Sequence, residues 1–254
     1  MNATWLALFY GDYPRLAARL LDSWRNQVQW SRVAEIRLAC NAIGDKTRQF
    51  IRRFAAEVPV PIQVWEAPDG ENRGKYPMLR ELLRSPPITT DWVMWWDDDS
   101  YLTECDDWHD QLDRLAETSD FIGERWYRRL QGNMHQFVRD QPWRDPQRPV
   151  RYSERFPFPQ GSWWASRTKL LLKWDWPPPA LHHNGGDLLL GALLAHQQYR
   201  VAWFNEGLRL NADDRGERSK SPRRGLSQPL HGHDYTGQPY PPVVFSQPLI
   251  RWNL

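Results

Sequence analysis

The sequence predicts an α/β fold with a mostly parallel central sheet flanked by helices. Two observations carry this. Strand-like and helix-like segments alternate over roughly the first hundred residues, the signature of βαβ units. Residues 92–96, WVMWW, then form an unbroken apolar run, as expected of a central strand covered on both faces. At 254 residues the chain suits one large domain better than two full cores.

The elements follow in order. Trp5 to Tyr10 reads as a buried first strand. After the turn Gly11-Asp12-Tyr13-Pro14, residues Leu16, Ala17, Leu20, Leu21 and Trp24 recur at helical spacing, with Asp12 placed to cap and Pro14 in the first turn. A second strand spans Glu35 to Cys40, a loop Asn41 to Asp45, a helix Lys46 to Glu57, and a third strand Ile62 to Trp65 between prolines. The polar loop Glu66 to Lys75 leads into a helix over Tyr76 to Arg84, stopped by Pro86-Pro87. The strand Trp92 to Trp96 comes next and ends directly in Asp97-Asp98-Asp99-Ser100. A helix over Trp108 to Glu117 and a strand over Phe121 to Tyr127 follow. Leu130 to Pro159 has no clean period and reads as an irregular binding loop with a short helix at Asn133 to Arg139. Gly161 to Ala165 re-enters the sheet, Arg167 to Leu172 is a short helix, Asp187 to Gln198 a leucine-rich helix, and Arg200 to Asn205 a last strand. Beyond Asn211 the hydrophobic periodicity is lost. The reading is therefore one domain over 1–211, with a first half to residue 100 and a second half over 101–211, then a tail or lid over 212–254.

Composition excludes collagen, coiled coil and general disorder. No stretch approaches the 18 or more apolar residues of a membrane span. The opening MNATWLALFYGD lacks the basic region of a secretory signal, and Cys40 and Cys105 cannot form a disulfide framework, so a soluble protein of the cytoplasm is expected. With 33 basic and 31 acidic residues the chain is no polycation, and local charge must carry any argument about partners. Residues 215–224, RGERSKSPRR, are strongly basic, and residues 97–110, DDDSYLTECDDWHD, strongly acidic. Sixteen Trp supply flat rings for the core or for a sugar, a base or a partner surface.

The triple aspartate is the sharpest feature. Adjacent carboxylates repel unless they are solvated or bound to a cation, and oxygen ligands suit Mg²⁺ or Mn²⁺. Alternate side chains of an extended segment share a side, so Asp97 and Asp99 point together and Asp98 faces away. In open α/β sheets ligands bind outside the carboxyl ends of strands, which is where this cluster sits.

On these residues the chain resembles the GT-A fold glycosyltransferases, in particular the family-2-like group, over roughly Trp5 to Asn211. The resemblance rests on the order of motifs. It implies a GT-A (Rossmann-like) nucleotide-sugar transferase fold and a divalent-metal-dependent transfer from a nucleotide sugar, a UDP-sugar first, to a hydroxyl acceptor. Asp97-Asp98-Asp99 matches the Asp-x-Asp motif, with Asp99 the metal ligand and Asp97 near the ribose or the metal. The donor pocket then falls on Tyr10-Gly11-Asp12, Asn41 to Asp45, and Asn72-Arg73-Gly74-Lys75 with Arg80; Lys75 or Arg80 would meet uracil or phosphate oxygens. Asp187, after His182-His183-Asn184-Gly185-Gly186, matches the acceptor base, although Gly186 stands where the family carries a second acidic residue; Asp also suits a helix N-cap. His231 or His233 would complete the metal shell. The basic run 215–224 would fold over the diphosphate and exclude water, or contact DNA phosphates instead. One displacement with a base opposite the leaving group inverts the anomeric carbon.

The acceptor wall falls on Trp126 to Trp164, with Trp126, Arg128, Trp163 and Trp164 the contacts. Interleaved Arg and aromatic residues suit a flipped base with phosphate clamping, and they also suit sugar stacking. The reading favours DNA carrying a hydroxymethylated pyrimidine, with cell-surface glycan synthesis as its competitor. From other classes stand a GT-A-like domain that binds without catalysis and a metal-dependent hydrolase, the latter short of ligands at strand ends.

Overall fold

The structure, a computed structural model, describes residues 1–68, 72–128, 133–147, 155–181, 185–211 and 247–254. The alternation read from the sequence is present as β1 (Ala3–Tyr10), α1 (Pro14–Gln27), β2 (Val33–Asn41), α2 (Asp45–Glu57), β3 (Ile62–Glu66), α3 (Lys75–Arg84) and β4 (Trp92–Asp97). Then come β5 (Tyr101–Leu102), α4 (Trp108–Thr118), β6 (Phe121–Arg128), α5 (Asn133–Arg139), β7 (Phe156–Arg167), α6 (Thr168–Lys173), α7 (Gly186–His196), β8 (Val201–Trp203), β9 (Leu208–Arg209) and β10 (Ile250–Arg251).

An eight-stranded sheet has the order β10-β3-β2-β1-β4-β7-β6-β8. Strands β3, β2, β1 and β4 run parallel, β7 runs antiparallel to its neighbours β4 and β6, and β8 is parallel to β6. From β1 the chain moves out to β2 on one side and returns to β4 on the other. That reversal of strand order opens a crevice at the carboxyl ends, the place where open α/β sheets bind ligands. Tyr10 pairs with Asn41 across it, and Leu8 with Asp97.

Alternation along the strands feeds two cores. Trp5, Ala7, Phe9, Trp96 and Trp163 pack with α1, α2 and α4; Leu6, Leu8, Trp95 and Trp164 pack with α3, α6 and α7. The continuous apolar run of β4 is thereby explained, since each of its faces meets a helical layer. Indoles fill both layers: Trp5 lies 5.1 Å from Trp24 and 5.6 Å from Trp96, while Trp95 stacks on Trp164 at 6.2 Å.

Three expectations change. Asp12 does not cap α1, whose N-cap is Tyr13 with no side-chain cap bond; Pro14 alone shapes that start. Strand β7 is much longer than Gly161 to Ala165, because Pro157 and Pro159 sit within its pairing to Tyr127 and Arg125 of β6. The chain end is no free tail: β10 pairs antiparallel with β3, Trp252 N donates to the Val64 carbonyl at 3.0 Å, and Trp252 Nε1 donates to Glu66 at 2.8 Å. This pairing covers main-chain groups of β3 that an open edge would expose. The basic run 215–224 lies outside the described residues. Among the described residues no helix is long and apolar enough to cross a membrane.

Candidate active site

The loops after β1, β2 and β4 and the start of α3 meet at one end of the sheet. Tyr10 N donates to Asp98 Oδ2 at 3.2 Å, which ties the end of β1 to the turn after β4. Gly11 N donates to the Asn41 carbonyl at 3.1 Å. Asn41 is buried, and its side chain organises the next loop: Arg73 N donates to Asn41 Oδ1 at 2.8 Å, and Asn41 Nδ2 donates to Asn72 Oδ1 at 2.8 Å. Gly74 N closes the turn on Asn72 Oδ1 at 2.9 Å, and Gly74 takes a left-handed φ of 80° as N-cap of α3. Asp12 stands over Gly44, while Asp45 is exposed and paired with Arg48.

Lys75, the first residue of α3, is turned inward. Its ammonium donates to Asp97 Oδ2 at 2.9 Å and to the Gly161 carbonyl at 2.8 Å, and it lies 5.3 Å from the Trp95 ring. Burial works to lower its pKa, but Asp97, then Asp187 and Asp99, outweigh that and hold it above the ordinary lysine value. Lys75 is therefore a cation among carboxylates. The sequence reading aimed it at uracil or phosphate oxygens; in this structure it holds Asp97 and β7.

Asp187 lies in the first turn of α7, where Tyr76 Oη donates to its Oδ1 at 2.9 Å. Burial pushes its carboxyl pKa up, Lys75 pulls it down, Asp97 raises it and the Tyr76 bond lowers it; the balance is upward. The carboxylate packs on Gly161, where any Cβ would overlap it. Gly186 has the same kind of reason. A Cβ there would fall inside the Tyr76 ring, so no acidic residue fits beside Asp187.

Asp97, Asp98, Asp99, Lys75 and Asp187 thus converge, with Tyr10, Gly11, Asn41 and Gly74 in the loops around them. Three of the site residues expected from sequence do not join. Arg80 gives its guanidinium to Asp175 at 3.0 Å and to the Pro177 carbonyl at 2.8 Å, pinning α3 to the turn after α6. Trp163 and Trp164 are 0% and 1% exposed and belong to the two cores, so they cannot touch an acceptor. They sit on a central strand whose faces are both covered. Trp126 and Arg128 are exposed, at the outer end of the antiparallel β6–β7 pair. His231 and His233 lie outside the described residues, as do His182, His183 and Asn184. Tyr76 and Gly161, which touch Asp187, carry no signal in the sequence beyond a Tyr that follows Lys75 and a glycine two residues before Trp163.

The donor set suits a hard divalent cation. Asp97 keeps one oxygen beyond its bond to Lys75, Asp99 lies two residues on, and such ions take one or two carboxylates with the remainder from phosphate and water. Among the described residues no group of three His, Cys, Asp or Glu side chains forms a closed protein cage.

No protein-family model matches the sequence, and no curated protein matches it. Solved structures do. The mannosyltransferase PcManGT from Pyrobaculum calidifontis, in complex with GDP-Man and Mn²⁺, matches with TM-score 0.56 and 20% identity, over 81% of this chain and 55% of that one. S. aureus TarS 1–349 matches with TM-score 0.54 and 16% identity, over 81% of this chain and 58% of that one. Its UDP complex matches with TM-score 0.55 and 15% identity over 81% and 58%. This chain therefore spans little more than half the length of each. Strand order, the site at the carboxyl ends and these matches together show that the chain has the GT-A fold, the fold of these glycosyltransferases.

Proposed function

We propose that this chain is a glycosyltransferase that moves a sugar from a nucleoside-diphosphate sugar to a hydroxyl acceptor, with inversion at the anomeric carbon. One observation carries the reading: Asp97 at the end of β4 and Asp187 at the head of α7 share the field of the Lys75 ammonium inside a GT-A fold. PcManGT is solved with GDP-Man and Mn²⁺, and TarS with UDP and UDP-GlcNAc, which supports a nucleotide-sugar donor. A UDP-sugar is the first donor proposed.

The loops of Tyr10 to Asp12, Asn41 to Asp45 and Asn72 to Gly74 would hold the nucleoside. Asp97 and Asp99 would hold Mn²⁺ or Mg²⁺, which when bound supplies positive charge against the departing diphosphate. Asp187 accepts the proton of the acceptor hydroxyl as that oxygen bonds to the anomeric carbon. The bond from that carbon to the phosphate oxygen breaks, and its electron pair leaves with the nucleoside diphosphate. The Lys75 ammonium pairs with Asp97 and offsets part of the cost that burial puts on a charged Asp187, so positive charge stands beside the base when the acceptor arrives.

For the acceptor we propose DNA carrying a hydroxymethylated pyrimidine. The supporting feature is the outer end of the β6–β7 pair. β4 pairs with β7 only as far as Trp96 with Trp163, whereas β6 and β7 stay paired beyond it to Arg128 with Phe156. That overhang carries exposed Trp126 and Tyr127 with Arg125 and Arg128, a stacking surface with cations beside it. Nucleoside mass spectrometry tests both levels, on hydroxymethylcytosine, hydroxymethyluracil and unmodified DNA incubated with the protein, Mn²⁺ and pooled nucleotide sugars. A hexose or pentose gain on a hydroxymethylated base alone supports transfer and acceptor together. Donor consumed without such a gain, and a saccharide extended instead, moves the acceptor to glycans.

A further inference from the structure

Asp187 has two carboxylate oxygens, and the structure treats them differently. Oδ1 accepts the Tyr76 hydroxyl at 2.9 Å, and among the described residues no other hydrogen-bond donor reaches this carboxylate. The Tyr76 ring is buried, edge-on to Trp176 at 6.0 Å and 76°, and it fills the space that a side chain at position 186 would need. The carboxylate also rests on Gly161, whose carbonyl is fixed by Lys75 at 2.8 Å and by Trp95 Nε1 at 3.1 Å. It is thus held by a packed phenol and by a backbone segment tied at its carbonyl.

We infer that Tyr76 is a positioning residue for the base. Its hydroxyl holds Oδ1 and leaves Oδ2 to accept the acceptor proton. This deepens the transferase reading and rests on it. A free carboxylate rotates about its terminal torsion, which is broad and roughly two-fold. A hydrogen bond to a charged group fixes that rotation and favours the ionised form. The charged groups facing Asp187 are Lys75 of α3 and Asp97 of β4, and neither is altered by a change at the phenol oxygen.

The test is Tyr76→Phe, which keeps the ring against Trp176 and Gly186, assayed beside Asp187→Asn and the double variant. The expected result is a fall in kcat on the order of tenfold with donor KM unchanged, as for loss of one hydrogen bond to a charged group. The acid limb of the rate profile moves to higher pH, and Tyr76→Phe has no further effect in the Asp187→Asn background. Should the Phe variant fail to fold, 3-fluorotyrosine introduced at position 76 keeps the shape and strengthens the donor, and the acid limb then moves to lower pH. Wild-type kcat and profile in both variants, with Asp187→Asn inactive, overturns the role of Tyr76 and leaves the transferase reading standing. Full turnover by Asp187→Asn overturns the base assignment itself.

Discussion

Lys75 Nζ stands 2.9 Å from Asp97 Oδ2, and this pair joins the first turn of α3 to the last residue of the central strand. Both side chains are largely buried, at 10% and 21% exposure, so the ammonium is the charge that lets the acidic end of β4 exist inside the crevice. Lys75→Met removes it and leaves Asp97 without compensation. We expect a stability loss of roughly 3 kcal/mol, as when one partner of a buried pair is removed. Because the folded pKa of Lys75 is raised above 10.5, its contribution is complete below that value and is lost as pH rises through the folded one. Urea melts should therefore show a constant gap between wild type and variant around neutrality, closing only in strong alkali. A gap that closes at neutral pH removes the ion pair from the account.

Asp187 behaves in the opposite sense. Its folded pKa is raised by burial, so the ionised carboxyl is less favourable in the folded chain than in the unfolded one. Stability from this group falls as pH rises from its ordinary range through its folded value, and above that value the cost is fully present. Asp187→Asn should then lose at least about a hundredfold in turnover, the low end for a general base, while melting at or above the wild-type temperature at pH 7. The amide oxygen still accepts the Tyr76 hydroxyl. A variant that is both inactive and clearly less stable would mean that Asp187 serves the fold instead.

Gly161→Ala probes the same carboxylate from β7. The added methyl overlaps Asp187, and the backbone is held by Lys75 and Trp95, so the carboxylate must move. A displacement near 1 Å at a catalytic group can cost about a hundredfold. The expected outcome is that loss in kcat with circular dichroism unchanged; wild-type turnover would show that the site absorbs the shift.

Much of this was legible in the chain itself. The run WVMWW located the central strand, because an apolar stretch of that length needs two covered faces, and the three aspartates after it marked the end of the sheet where the candidate site is proposed. The spacing of the early strands and helices gave the parallel half. The failures have physical causes. Composition cannot tell an indole that fills a core from one that stacks on a ligand, which is why Trp163 and Trp164 were placed at the acceptor. Prolines read as breakers, yet Pro157 and Pro159 are tolerated where the β6–β7 pair overhangs β4. Two residues of β10 show no period, and its partner strand is remote in sequence. Arg80 has the charge for a phosphate, but its direction depends on where the turn at Asp175 falls. Tyr76 carries no motif at all; its role exists only when α3 and α7 are side by side.

The two kinds of tryptophan give the last prediction, because they separate packing from acceptor binding in one experiment. Trp163 is fully buried, with Trp96 at 6.1 Å, Trp108 at 6.3 Å and Phe204 at 6.1 Å, so Trp163→Ala opens a cavity that the strand cannot close. The expected cost is about 3–5 kcal/mol of stability, with kinetic constants of the remaining folded fraction little changed. Trp126 is 43% exposed at the outer end of the β6–β7 pair, and its edge contact with Phe158 is its one ring pairing among the described residues. Trp126→Ala should leave the melting temperature nearly unchanged. It should raise the acceptor KM roughly tenfold, the scale of one base stacked on an aromatic ring, with donor KM constant. Arg128→Ala should weaken acceptor binding less, and in a salt-dependent way, if phosphates lie beside that ring. Equal acceptor KM in wild type and Trp126→Ala would place the acceptor elsewhere than on this end of the β6–β7 pair.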